Sequence, residues 1–287
     1  MNPLALVKLN QLMELTQGKS EITIGLIDGP VVMNHPGLAS ENIVNVSEKD
    51  KGSCSQANSS TCMHGTFVAS VLSGKRGSSA MAICPDCTLL VRPIFLENTE
   101  PGDQIPNATP EDLAEAIIEC VDAGARVLNL SVAFVNPTAK GNVELKKSLD
   151  YAAHRGVIVV AAAGNQGTLC SSVITSHPWV IPVVACNLSG MPISLSNLGN
   201  SIGRRGLSAP GEGVSGIGMG NKPITPRGTS VATPFVTGTV ALLWSMAPNA
   251  TAIEIKLALT DFNLKRRTMI VPPLLDAWKS YQLLNTL

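Results

Sequence analysis

The chain has 287 residues, 45% hydrophobic and 15% charged, with 21 Lys+Arg against 21 Asp+Glu and a formal net charge of zero. The basic clusters "RR" (204–205) and "KRR" (265–267) are too small for a nucleic-acid footprint and read as solvated surface. No uninterrupted apolar run approaches the ~18 residues of a membrane span, so neither nucleic acid nor membrane is an expected partner.

In chain order, "LALVKLNQLMELT" (4–16) spaces its apolar residues for one amphipathic helix. It shows no cleavage-site pattern, so a cytoplasmic chain is expected. "ITIGLID" (22–28) is the first of several short, continuous apolar runs, the pattern of strands buried on both faces. "HGTFVASVLSG" predicts a helix over 64–74, opened by His64, and "TLLVRPIF" a strand over 88–95. "TPEDLAEAIIECVDAGA" (109–125) is a helix with Thr109 and Asp112 as a capping box and Gly124 at its end. "RVLNLSV" (126–132), "VIVVAAAG" (157–164) and "VIPVVAC" (180–186) are strands, with a helix over 143–156. A long apolar helix starts at Ser230 and contains Pro234. A last helix, 251–259, has Thr251 and Glu254 as its box. The polar spans 47–63, 97–108 and 187–225 read as loops. Alternating strands and helices make this an α/β protein with a doubly wound, mostly parallel sheet and helices on both faces. With no repeat and no linker, one domain over 1–287 is expected.

Three stretches place a reactive side chain where a buried strand ends or a helix begins, which is where open α/β sheets bind ligands. Taken singly, Asp28 is a turn residue, His64 a helix-terminal imidazole and Ser230 an N-cap. Taken together they are the parts of an acyl-transfer triad: a hydroxyl nucleophile, its base, and the carboxylate that orients the base. The small residues of "PRGTS" (226–230) let a peptide backbone approach. Asn165, just past "AAAG" (161–164), carries an amide that can stabilise an oxyanion together with the Ser230 N–H.

The order Asp, His, Ser in "LIDGP", "HGTFVAS", "AAAGNQG" and "GTSVATP" resembles the subtilisin-like (S8) serine proteases, whose chain order it shares. The resemblance implies Asp28, His64 and Ser230 as catalytic residues and Asn165 as oxyanion donor. It also implies a peptide laid along Ser131, Val132 and Ala133, with Ala163 and Gly164 on the substrate path, and no organic cofactor. A closer resemblance, carried by residues 64–95 and "LIDGPV…HPG", is to the PatA-type leader proteases of cyanobactin biosynthesis. It implies a precursor-peptide substrate whose leader is removed by hydrolysis, with a monomer expected. The related macrocyclases carry an inserted helical element between the Asp and His motifs, whereas 35 polar, aperiodic residues stand there in this chain. The sequence departs from the secreted subtilisins at Gly29-Pro30, where Ser/Thr-Gly is usual. It departs again at "HPGL", where Gly37 replaces a calcium-binding Asp. The usual tight calcium site is therefore not expected, and neither is any other metal.

Seven cysteines cannot all pair within one chain. In an oxidising setting the bridges Cys54–Cys62 and Cys84–Cys87 are expected; in a reducing cytosol free thiols are the default. A zinc site built from these four fits the spacing poorly. Cys120, Cys170 and Cys186 are expected to be free.

Overall fold

The computed structural model describes residues 2–46, 54, 59–95, 97, 108–132, 143–220, 222–260 and 269–286. Its frame is a seven-stranded sheet in the order β2-β3-β1-β4-β5-β6-β7. The strands are β1 (Thr23–Asp28), β2 (Ile43–Asn45), β3 (Thr88–Pro93), β4 (Val127–Leu130), β5 (Ile158–Ala162), β6 (Ile181–Cys186) and β7 (Leu207–Pro210). Every neighbouring pair is parallel. A small antiparallel hairpin, β8 (Gly216–Ile217) with β9 (Pro223–Ile224), stands apart from it.

Helices cover both faces, as all-parallel sheets require. The helices are α1 (Pro3–Leu6), α2 (Leu9–Leu15), α3 (Ser60–Ser73), α4 (Pro110–Asp122), α5 (Val143–His154), α6 (Val173–Ser176), α7 (Asn200–Arg205), α8 (Thr229–Met246), α9 (Ala252–Thr260) and α10 (Ala277–Leu284), with a 3₁₀ turn at Ser40–Asn42. Alternate residues of the strands serve opposite layers. Ile24 and Leu26 belong to the core with Phe67 of α3 and Phe235, Val236 and Val240 of α8. Ile27, Leu128 and Leu130 belong to the core with Leu113 and Ile117 of α4 and Leu149 of α5. Helix α8 is apolar all round, the mark of a core helix, and only Ser230 and Met246 of its 18 residues escape burial. Among the described residues, no helix is long and apolar enough to cross a membrane.

The α/β architecture expected from the sequence is present, as are the capping boxes of α4 and α9. Other expectations need correction. The N-terminal helix is two helices, broken at Lys8, whose φ of 52° ends the first turn. Helix α3 begins four residues before His64, because the Ser59 side chain accepts from Cys62 N–H and caps it there. Helix α8 starts at Thr229, with Gly228 before it. The span 187–225 is not all loop, since it holds α7, β7 and the hairpin. Arg205 is not simply solvated: it donates to the carbonyls of Thr175 and Ser176. "KRR" at 265–267 lies outside the described residues.

Candidate active site

The sheet's strand order reverses between β1 and β4, so their carboxyl ends flank the crevice where such folds bind ligands. Asp28 is the last residue of β1 and is 1% exposed. Its Oδ1 accepts from His64 Nδ1 at 2.6 Å and from Gly29 N–H at 2.6 Å. His64 reaches it from the second turn of α3, which packs tightly on the loop after β1. A Cβ at position 29 would sit 2.2 Å from the Thr61 carbonyl oxygen. Only glycine leaves room for that approach.

The His64 side chain remains 35% exposed. Burial pulls its pKa down, but the charge of Asp28 and the hydrogen bond to it push harder the other way, and the net shift is upward. The carboxylate thus fixes the ring's orientation and stabilises its cation.

Ser230 and Asn165 stand on the other side of the crevice. Gly228 has φ 149°, and a Cβ there would lie 3.0 Å from Asn165 Nδ2; only glycine lets the chain enter α8 this close to the amide. Asn165 Oδ1 accepts from both the N–H and the hydroxyl of Thr229, each at 2.9 Å. Those two bonds fix which end of the amide carries the donor. Nδ2 lies at the entrance of α8, against Gly228. The loop carrying Asn165 is held in turn by Asn197, whose Oδ1 accepts from Gln166 N–H and Thr168 N–H at 3.1 Å.

Ser131 runs on past the paired part of β4 and ties the end of that strand to the start of α8. Its hydroxyl donates to the Ser230 carbonyl at 3.3 Å and accepts from Asn129 Nδ2 at 2.8 Å. Thr237 of α8 donates to Asn129 Oδ1 at 2.8 Å. Pro234 is the reason this matters. It is the sixth residue of α8, beyond the turn whose N–H groups lack partners anyway. It has no N–H to give the Ser230 carbonyl, and Ser131 supplies the missing bond.

The structure therefore joins Asp28 to His64 directly and gathers Ser230, Asn165 and Ser131 at the adjoining rim. No hydrogen bond joins the Ser230 hydroxyl to His64 among the described residues. Val132 buries its side chain in the α4–α5 core, so only its backbone is left to offer a peptide. Ala163 N–H is spent on the Val183 carbonyl. Gly164 N–H donates to Thr229 Oγ1 and its carbonyl accepts from Asn197 N–H, which commits both of its backbone groups internally. Ala133 lies outside the described residues. The supporting residues Thr229, Asn129, Thr237 and Asn197 were not singled out from sequence. Thr229 alone carried a signal, its place beside Ser230.

Cys54 and Cys62 are bridged, with Cα atoms 5.8 Å apart, which ties the chain before α3 to the helix carrying His64. The expected Cys84–Cys87 bridge is absent: both are free and buried. The Cys84 thiol hydrogen-bonds to Cys87, which pushes Cys84 up and draws Cys87 down from the ordinary thiol pKa. Cys87 also lies 3.9 Å from the Ser245 hydroxyl of α8.

A parallel sheet with a carboxylate–imidazole pair at one strand end and a serine opening a buried helix across the crevice is an arrangement used by α/β hydrolytic enzymes of the acyl-transfer class. The chain is a member of the subtilase family, whose model matches residues 19–266. It is 32% identical over 251 residues to the thermophilic serine proteinase of Bacillus sp. (strain AK1), a match that takes in 86% of this chain and 57% of that protein. The chain thus spans little more than half the length of that relative. Among solved structures it resembles the prenylagaramide maturation protease PagA, with a TM-score of 0.82, 28% identity, and 96% of this chain and 98% of that one covered. The protease domain of PatA is similar too, with a TM-score of 0.81, 28% identity and coverage of 94% and 97%.

Proposed function

We propose that the chain is a serine endopeptidase that removes the N-terminal leader of a ribosomally made precursor peptide. The observation that carries this reading is the 2.6 Å bond from His64 to a buried Asp28, in a chain whose α8 opens with a serine. Ser230 Oγ attacks the scissile carbonyl and passes its proton to His64. The oxyanion receives the Ser230 N–H and Asn165 Nδ2. His64 then protonates the leaving amine, and water releases the acyl half by the reverse steps. The peptide lies along Ser131, Val132 and Ala133 as an added strand. Likeness to two maturation proteases, PagA and PatA, supports a precursor peptide as the substrate class. Action in the cytoplasm, without an organic cofactor, belongs to the same proposal.

Two measurements test it. A fluorophosphonate probe should label Ser230, because only an activated serine reacts. Incubation with leader–core peptides should give fragments with a new carboxylate that has gained water. A cyclised product lacking that water would make the chain a transpeptidase instead, and an unlabelled Ser230 would reduce it to a peptide-binding scaffold.

A further inference from the structure

Beside His64 lies a cavity of about 370 Å³, within the size range of ligand pockets. Met63, His64 and Phe67 of α3 form one wall, and Ile224, Thr225 and Pro226 the other. Residues 63 and 67 are one helical turn apart and so share a face of α3. Phe67 is 1% exposed and Met63 37%, a buried floor beneath an accessible rim. The opposite wall is fastened in place: Ile217 N–H of the hairpin donates to Ser70 Oγ of α3 at 2.9 Å. The cavity is thus framed by two elements bonded to each other, and among the described residues no titratable side chain other than His64 lines it.

Its position decides which half of a substrate it meets. Neither β4 nor the Ser131–Val132 edge beyond it lines the cavity, and the acyl half of the peptide is assigned to that edge. The leaving amine takes its proton from His64, so the leaving half must pass His64 on its way out. A pocket that shares His64 but not β4 receives the leaving half. A charged side chain would be desolvated there without a partner; a large apolar one gains from burial.

We infer that this cavity is a specificity pocket that selects a large apolar residue directly after the scissile bond. The inference rests on the serine-peptidase reading of the site. The test is a randomised peptide library digested by the full chain, with product N-termini sequenced, since each new N-terminus is the residue that followed the cut. Leu, Ile, Met and Phe should be enriched over Asp and Glu by about tenfold to a hundredfold, the range set by burying one such side chain. Met63→Lys should reduce that ratio about tenfold or more by placing a charge at the rim. A ratio within one preparation does not depend on how much enzyme is folded. Products without apolar enrichment, or a ratio unmoved by Met63→Lys, would overturn the pocket and leave the peptidase reading standing. No products, together with no fluorophosphonate labelling of Ser230, would overturn both.

Discussion

Asp28 and His64 are bound to each other through a buried charge, whereas Asn165 and Ser230 are held by neighbours that leave their reactive atoms uncommitted. On the first side, Asp28 is 1% exposed and its Oδ1 takes two bonds of 2.6 Å. On the second, Thr229 fixes Asn165 through Oδ1, and Ser131 engages only the carbonyl of Ser230. One side stores a negative charge in advance so that a proton can be accepted. The other stores neutral dipoles aimed at where negative charge will form. Only the first contains titratable groups, so pH dependence should come from that side alone.

The largest effect tests the second side. Ser230→Ala should lower kcat about 10⁶-fold, by the measure of subtilisin itself, read as the rate of product formation from a leader–core peptide. A variant that cleaves as well as wild type would remove Ser230 from the chemistry.

Next comes the charge on the first side. Asp28→Asn should cost about 10⁴-fold in kcat, again on subtilisin's scale. Activity requires neutral His64, and Asp28 holds the imidazole pKa above its ordinary value. The acid limb of kcat/KM should therefore have its midpoint above about pH 6.5 in the wild type and move to lower pH in Asp28→Asn. The linked stability has the opposite sign. A raised folded pKa means that the Asp28–His64 pair stabilises the fold fully below the unfolded value of about 6.5, and this is lost as pH rises through the folded value. A limb that stays put in Asp28→Asn would show that the carboxylate does not set the base.

Asn165→Ala should cost about 10²–10³ in kcat with little change in KM. Its pH midpoint should match the wild type, since the Asn165 amide neither gains nor loses a proton. A shifted midpoint would mean that the two sides are electrostatically coupled.

The core strands β1, β4, β5 and β6 were legible because continuous Val, Ile, Leu and Ala runs suit strands covered on both faces. Helices α4 and α9 were legible because a capping box is a local signal. Strand β7 was not: its four residues, "LSAP", include a proline, and their place is set by pairing with β6 and by the bonds of Ser208 to Pro273 and Leu275. Pro273 and Leu275, which complete this contact, are too far along the chain to reveal it. At the site, Asp28, His64, Ser230 and Asn165 were legible because reactive types cluster at strand ends and helix starts. Asn197 was not, because an Asn in a polar loop looks like any turn residue until three bonds converge on its Oδ1.

The smallest effect concerns the residue that supports the second side from the end of β4. Ser131→Ala removes the donor to the Ser230 carbonyl, which Pro234 has already deprived of its helical partner, and the acceptor of Asn129 Nδ2. Asn129 is fully buried, so its amide cannot turn to water without local opening. An unsatisfied buried group costs about 1–3 kcal/mol, and the urea midpoint should fall accordingly with an unchanged m-value. The reacting atoms keep their partners, so kcat should drop by only about tenfold, from a serine held less firmly, with the pH midpoint unmoved. A loss in kcat as deep as that of Asn165→Ala would place Ser131 among the groups that stabilise the oxyanion. A loss of stability with kcat intact would show instead that α8 holds its serine without help from β4.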